Sequence, residues 1–306
     1  MVGILGTNRR RSRRRPEPKA NDPMPSFYDP APETDRAEAT LAAYLQSLHD
    51  RNGDDAAMSR REARMHERFD HSTVRAGIPI DRERFNRNYG AFTETDISEE
   101  EAALLAFVKI NAGEAYGVGV TTAARAALLD RPELCFQVEK AVLAEEGFHT
   151  RLLVGAAQHF DGLNIGDAWR PTWPLRLLIG ALVRVPTAVF HPLLLGSEIA
   201  GVYAFNWLLN RIGTLFPNDP LVRESMEERL IDVLTDELGH IAYNRIQVGA
   251  AGRAVAGQIA QWVCQSHRVM SRELIALGFD DDAIAGVARF DFGHLPAQVR
   301  RDGFFA

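Results

Sequence analysis

Two short patterns in this 306-residue chain set a carboxylate and an imidazole three residues apart: Glu146-Gly147-Phe148-His149 and Glu237-Leu238-Gly239-His240. In an α-helix, residues i and i+3 share a face, so each pattern aims an oxygen and a nitrogen ligand at one point. That donor set suits iron or manganese, and the lack of a thiolate argues against a structural zinc site. A single Glu-x-x-His arises by chance in many chains. Two of them, each preceded by a second acid (Glu145, Asp236), carry more weight. Val142 and Leu153 flank the first pattern at helical spacing, and Val233 and Ile241 flank the second, so both lie on apolar faces. An ionised glutamate on such a face is costly unless it is paired or bound to metal.

Two further acids stand out for the same reason. Glu114 shares a helical face with Ile110 and Val118. Glu198 is the sole acid between Asp167 and Asp219 and follows Leu193-Leu194-Leu195. Small neighbours (Gly113, Gly117, Gly196, Gly201) allow helices to approach closely and leave room for a ligand.

The elements that must position these residues read as helices throughout, with no alternating strand pattern. Early helices are expected at about 35–50 and 59–76, the second rich in charge and solvated, with a connector at 78–86. Ser98 and Glu101 have the spacing of a capping box and open a helix expected to run to Leu129. Another should span 132–160, followed by a long irregular connection over 163–174. Helical sequence resumes at Leu175, with breaks near Pro186 and Pro192, and continues to Ile212. Asn218-Asp219-Pro220 caps a helix to Gly249, and one more covers 254–277. Residues 291–306 read as an extended tail packing on the bundle. Two long helices, a crossover and two more long helices describe an all-α bundle with one non-hairpin connection.

The order Glu114, Glu146-x-x-His149, Glu198, Glu237-x-x-His240 resembles the ferritin-like di-iron carboxylate proteins over about residues 98–249. In that family two helices each give a Glu and two each give a Glu-x-x-His. The resemblance implies a single domain over 31–306: a four-helix bundle core with a long crossover and extra N- and C-terminal helices. It implies one ion held by Glu114, His149 and Glu146, and another by Glu198, His240 and Glu237, with Glu146 and Glu237 bridging. Asp236 and Glu145 resemble the doubled acids of acyl-carrier-protein desaturases and ribonucleotide reductase small subunits. An acid at the Asp236 position there holds the opposite histidine by its free ring N–H. Glu145 has a solvent-facing alternative.

Such sites serve oxygen-activating enzymes, ferroxidases or iron stores, and manganese catalases. About 90 residues precede the first ligand helix, and the crossover and C-terminal helix add further chain, which could build a substrate cavity or a dimer interface. The expectation is therefore a dioxygen-activating oxidoreductase with two iron ions (manganese being the alternative metal), fed by a reductase or ferredoxin-type donor. Its substrate would be a hydrophobic or aromatic small molecule or an acyl chain. Hydroxylation, desaturation and N-oxygenation share the ligand set. Arylamine N-oxygenases carry an extra histidine one turn before the last Glu-x-x-His, where this chain has Val233.

Composition excludes other classes. Hydrophobic residues are 46% and charged residues 25%, with a net charge of -6, an ordinary soluble balance. The basic run Arg9–Arg15 and the prolines after it make residues 1–30 a disordered tail without the aromatic interleaving of a nucleic-acid binder. The apolar stretch 175–195 is too interrupted by arginine and proline to read as a membrane span. Cys135 and Cys264 lie far apart, which fits a reducing cytoplasm.

Overall fold

The computed structural model describes residues 26–30, 34–53, 55–68, 80–91, 96–110, 112–160, 163, 171–270 and 272–305. Among them the chain is all-helical, with thirteen α-helices packed together and no strand. Long helices come first in importance: α1 (Thr34–Asn52), α5 (Ala112–Leu129), α6 (Leu134–Val154), α8 (Thr187–Leu215), α9 (Pro220–Gln247) and α10 (Ala250–Met270). Shorter ones are α2 (Asp55–Arg68), α3 (Arg82–Gly90), α4 (Glu99–Lys109), α7 (Trp173–Leu182), α11 (Arg272–Ala276), α12 (Asp281–Gly286) and α13 (Ala297–Asp302). Residues 1–25 of the expected disordered tail, and most of the crossover, lie outside the described residues; the tail's last five residues are not disordered, because Phe27 is buried in the core against Phe290 and Phe305.

Helix α8 packs against α9 on one side and α10 on the other, while α6 packs against α5, α1 and α9. The α8–α10 contact is close because Gly196 lacks a side chain. A Cβ there would sit 2.6 Å from Ile259 and 2.7 Å from the Ala256 carbonyl oxygen. Because that oxygen is backbone, the two helices could not make room by moving a side chain alone. Helices α5 and α6 are joined by a short turn and clamped by a buried pair, Arg125 Nε to Glu139 Oε1 at 2.5 Å. Eleven residues lie from Arg125 back to position 114, and eleven from Glu139 forward to Thr150. The hairpin therefore sets position 114 level with His149 and Thr150, about three turns from the clamp.

Several boundaries differ from expectation. The helix opened at Ser98 does not run unbroken to Leu129; it stops at Lys109, turns at Ile110 and restarts at Ala112. Ser98 accepts the Glu101 amide at 3.1 Å, one half of the expected capping box, but the Glu101 carboxylate is spent on Arg84 at 2.5 Å. The supposed connector at 78–86 holds the start of α3, which runs on to Gly90 and is capped by Asp81, whose side chain accepts from the Arg84 amide. Pro186 precedes α8 as expected, whereas Pro192 lies inside it without ending it. The tail is not extended: α13 forms over Ala297–Asp302 and rests on α9 through buried Val299. Helix α2 is charged and its described side chains are mostly exposed or half-buried, as expected of an outer element, but Arg61 on its inner face is buried against the bundle.

Among the described residues one helix, α8, is long and apolar enough to cross a membrane by length and composition, with mean hydropathy 1.3 over its most apolar window. That window is 61% buried inside the protein, as a core helix would be.

Candidate metal centre

Helices α6, α8 and α9 converge on a buried group of acids and imidazoles. Oxygen or nitrogen atoms of Glu146, Glu198, Glu237 and His240 all lie within 4.8 Å of one another, a group able to hold a metal ion. Glu146, Glu237 and His240 are buried and Glu198 is partly so. His149 joins them from α6, its ring centroid 5.7 Å from that of His240.

The two histidines are arranged reciprocally. Each turns Nδ1 inward to the same two carboxylates. His240 Nδ1 lies 2.9 Å from Glu146 and 3.0 Å from Glu237; His149 Nδ1 lies 3.2 Å from Glu237 and 3.7 Å from Glu146. Each turns Nε2 outward to an acid of the opposite helix. His149 Nε2 meets Asp236 Oδ2 at 3.0 Å, and His240 Nε2 meets Glu145 Oε2 at 3.1 Å. Carboxylates in this outer position fix the tautomer and orientation of a ligating imidazole. Glu145 does not face solvent: it is 1% exposed.

Two buried atoms test whether the residues fit a metal. His149 Nδ1 and Glu237 Oε1 face each other at 3.2 Å, yet neither makes a hydrogen bond. Leaving two such atoms unsatisfied in a protein interior costs free energy, and a cation between them would satisfy both. The donor set fits iron or manganese.

Charge balance points the same way. Burial opposes a charge on His149, but the Asp236, Glu146 and Glu237 carboxylates around it outweigh that effect and raise its pKa well above 6.5. Burial likewise opposes charge on His240, and the neighbouring Glu237 and Glu146 carboxylates override it in the same direction. Without a metal, protons on the imidazoles supply the positive charge. The folded values exceed the unfolded one, so this stabilisation is complete below about pH 6.5 and is lost as pH rises through the folded values. The melting temperature of metal-free protein is therefore expected to fall from pH 6.5 upward, and bound metal should flatten that fall. A metal-free melting curve that stays level from pH 6.5 to 9.5 would contradict it.

Arg151 goes to Glu62 at 2.8 Å, and Arg245 to the carbonyl oxygens of Asp29 and Pro30. Backbone position 114 lies in α5, but the side chain of Glu114 is outside those described, as is that of His159. Tyr203 and Trp207 pack on Phe279 near the C-terminal helices. Tyr243 donates to the Cys135 carbonyl oxygen at 3.2 Å, and His191 pairs with Asn244 at 2.9 Å. A cleft of about 480 Å³ opens on the α1 side of α6, lined in part by Leu48, Asn52, Met58 and Ala141.

Sequence reasoning missed the residues that α1 and α2 contribute. Arg51 and Arg61 both bind Asp236, and Asn52 donates to Glu145. Tyr44 lies over Gly239, where any Cβ would overlap its ring, and is buried beside Phe304 at 4.9 Å. The one available signal was the spacing of Met58, Arg61 and Met65, which puts three long side chains on one face of α2. The chain matches no protein-family model, no curated protein and no solved structure.

Proposed function

We propose that this protein is a ferritin-like di-iron oxidoreductase that activates dioxygen to oxidise a hydrophobic small molecule. The observation that carries the reading is the reciprocal pair of histidines: both Nδ1 atoms face Glu146 and Glu237, and both Nε2 atoms are held by acids of the opposite helix. A mononuclear site has no use for a second outward-held imidazole on the same pair of carboxylates. On this reading Glu146 and Glu237 would be shared by two ions, and His149 and His240 would serve one each. Glu198 would complete the ligands of one ion and Glu114 those of the other.

Iron bound there would supply the redox chemistry, taking electrons from an external reductase or ferredoxin-type donor and passing them to dioxygen. The chain's own work is positional. Asp236 and Glu145 hold the Nε2 protons and keep Nδ1 free for a ligand bond. Phe148, Leu152, Leu234 and Leu238 are buried around the cluster's helices and exclude water. Leu195, Ile199 and Val202 near Glu198 on α8 are apolar and buried, which is the basis for reading the substrate as hydrophobic, aromatic or an acyl chain.

Anaerobic loading of the purified chain with ferrous iron tests this directly. About two ions per chain are expected, followed by dioxygen uptake that depends on a reductant and is accelerated by an apolar substrate. Two manganese ions with rapid peroxide dismutation, or a cage-like assembly that accumulates many irons, would replace the oxidase reading. One ion or none would remove the paired site itself.

A further inference from the structure

The polar network around the cluster does not end at Asp236 and Glu145. Both acids lead back to one buried guanidinium on α2. Arg61 Nη2 donates to Asp236 Oδ2 at 2.7 Å and to Asp232 Oδ2 at 2.6 Å, while its Nη1 donates to Asn52 Oδ1 at 2.7 Å. Asp236 Oδ2 is the oxygen that meets His149 Nε2. Asn52, at the end of α1, donates its Nδ2 to Glu145 Oε1, and Glu145 Oε2 meets His240 Nε2. The guanidinium is fixed from above by the Phe148 ring, 4.4 Å from its centre.

We propose that Arg61 is a positioning residue for both metal positions, reaching His149 through Asp236 and His240 through Asn52 and Glu145. The inference rests on the two-ion reading of the cluster. It makes α1 and α2 parts of the metal centre, although neither carries a ligand.

The two arms differ in kind. On the His149 side the acid is held by charge, because Arg51 Nε and Arg61 Nη2 both donate to Asp236. Arg51 also binds Asp232 at 2.8 Å, so α1 and α2 grip the same turn of α9. On the His240 side the acid receives a neutral amide, and Arg61 decides which way that amide points. A carboxamide has one acceptor end and one donor end. With Oδ1 committed to Arg61, Nδ2 must face Glu145. Without Arg61, the amide is free to turn its oxygen toward the carboxylate, and Glu145 loses its anchor. A lysine could keep one arm, since an ammonium can pair with the aspartates, but a point charge cannot reproduce the fork that reaches Asn52 at the same time.

The full-length chain titrated with manganese(II), followed by electron paramagnetic resonance, reads the two positions separately, because a coupled pair and an isolated ion give different spectra. Wild-type protein is expected to bind two coupled ions. Arg51→Ala and Asn52→Ala should each weaken one position by ~10–100-fold, the usual cost of losing an outer-shell partner, and show isolated ions at limiting metal. Arg61→Ala should weaken both positions by that factor. Arg61→Lys should behave like Asn52→Ala. Circular dichroism and melting curves establish that each variant is folded. The proposal is overturned if folded Arg61→Ala binds both ions as wild type does, or loses only one. Should Arg61→Ala fail to fold, Arg61→Lys and Asn52→Ala decide: two coupled ions at wild-type affinity in either overturns it. If wild type itself fails to bind a coupled pair, the two-ion reading falls first, and that outcome is visible before any variant is made.

Discussion

Glu237→Ala is expected to empty the metal centre of both ions, whereas Glu198→Ala should cost only one. The difference follows from where the oxygens point. Glu237 places Oε1 3.2 Å from His149 Nδ1 and Oε2 3.0 Å from His240 Nδ1, so each oxygen faces a different imidazole. An ion beside either histidine would use this one side chain. Removing it takes a ligand and a share of negative charge from each position. Loss of an outer-shell partner alone already costs ~10–100-fold in metal affinity, so loss of a shared direct ligand should exceed about 100-fold at each ion. Glu237→Gln separates charge from packing. It keeps the side-chain volume and one carbonyl oxygen but supplies no anion, so it should resemble Glu237→Ala in metal content while staying folded, with a metal-free melting temperature below that of wild type because His149 and His240 lose a carboxylate partner. Metal analysis of chains loaded anaerobically and desalted gives the answer. Retention of two ions by Glu237→Ala would mean that Glu237 is not shared.

How much of this centre was legible in the sequence depends on the range of the contact. The i to i+3 spacing of Glu146 and His149, and of Glu237 and His240, is local, and a helix of either residue set must present both groups together. Glu198 was legible by exception, as an acid in an apolar run. The partners of the second acids were not, because they come from distant positions: Arg61 lies 171 residues before Asp232 and 175 before Asp236. No periodicity within α2 says which acid its arginines will meet. A helix with so many charges also reads as solvated unless one knows that two aspartates wait on the opposing face.

The break between α4 and α5 was hidden for a related reason. Residues 101–110 are buried without interruption, so no polar stripe marks one side as outer. Neither glycine nor proline stands between Glu99 and Asn111 to announce the turn at Ile110. Tertiary contacts set that end, as they do for α13, whose six residues would not hold a helix alone. By contrast, the cap of α3 was written locally in Asp81 and passed over, since an aspartate ahead of an Arg-Glu pair is a sound start signal.

One contact near that break should dominate stability. Lys109 ends α4 and meets Glu273 of α11 at 3.2 Å, with the lysine side chain 3% exposed and the glutamate fully covered. The ammonium also approaches the Asn88 carbonyl oxygen at 3.4 Å, a neutral partner that cannot balance its charge. Glu273→Ala removes the acid that this buried ammonium meets and is expected to destabilise the fold by about 3–5 kcal/mol. Lys109→Met should cost less. Burial raises the pKa of Glu273 even though Lys109 pulls it down, so a glutamate deprived of its lysine can take up a proton and stay neutral. The double change Lys109→Met with Glu273→Leu removes both charges and should recover much of the loss, because apolar replacement of a buried pair is commonly neutral or stabilising. Urea unfolding of the four proteins orders them, with Glu273→Ala lowest. The expected ranking fails if Lys109→Met is the less stable single variant, for loss of the ammonium would then cost more than loss of the carboxylate. Since Lys109 directly precedes the turn at Ile110, Glu273→Ala should also loosen the entry to α5, where position 114 lies.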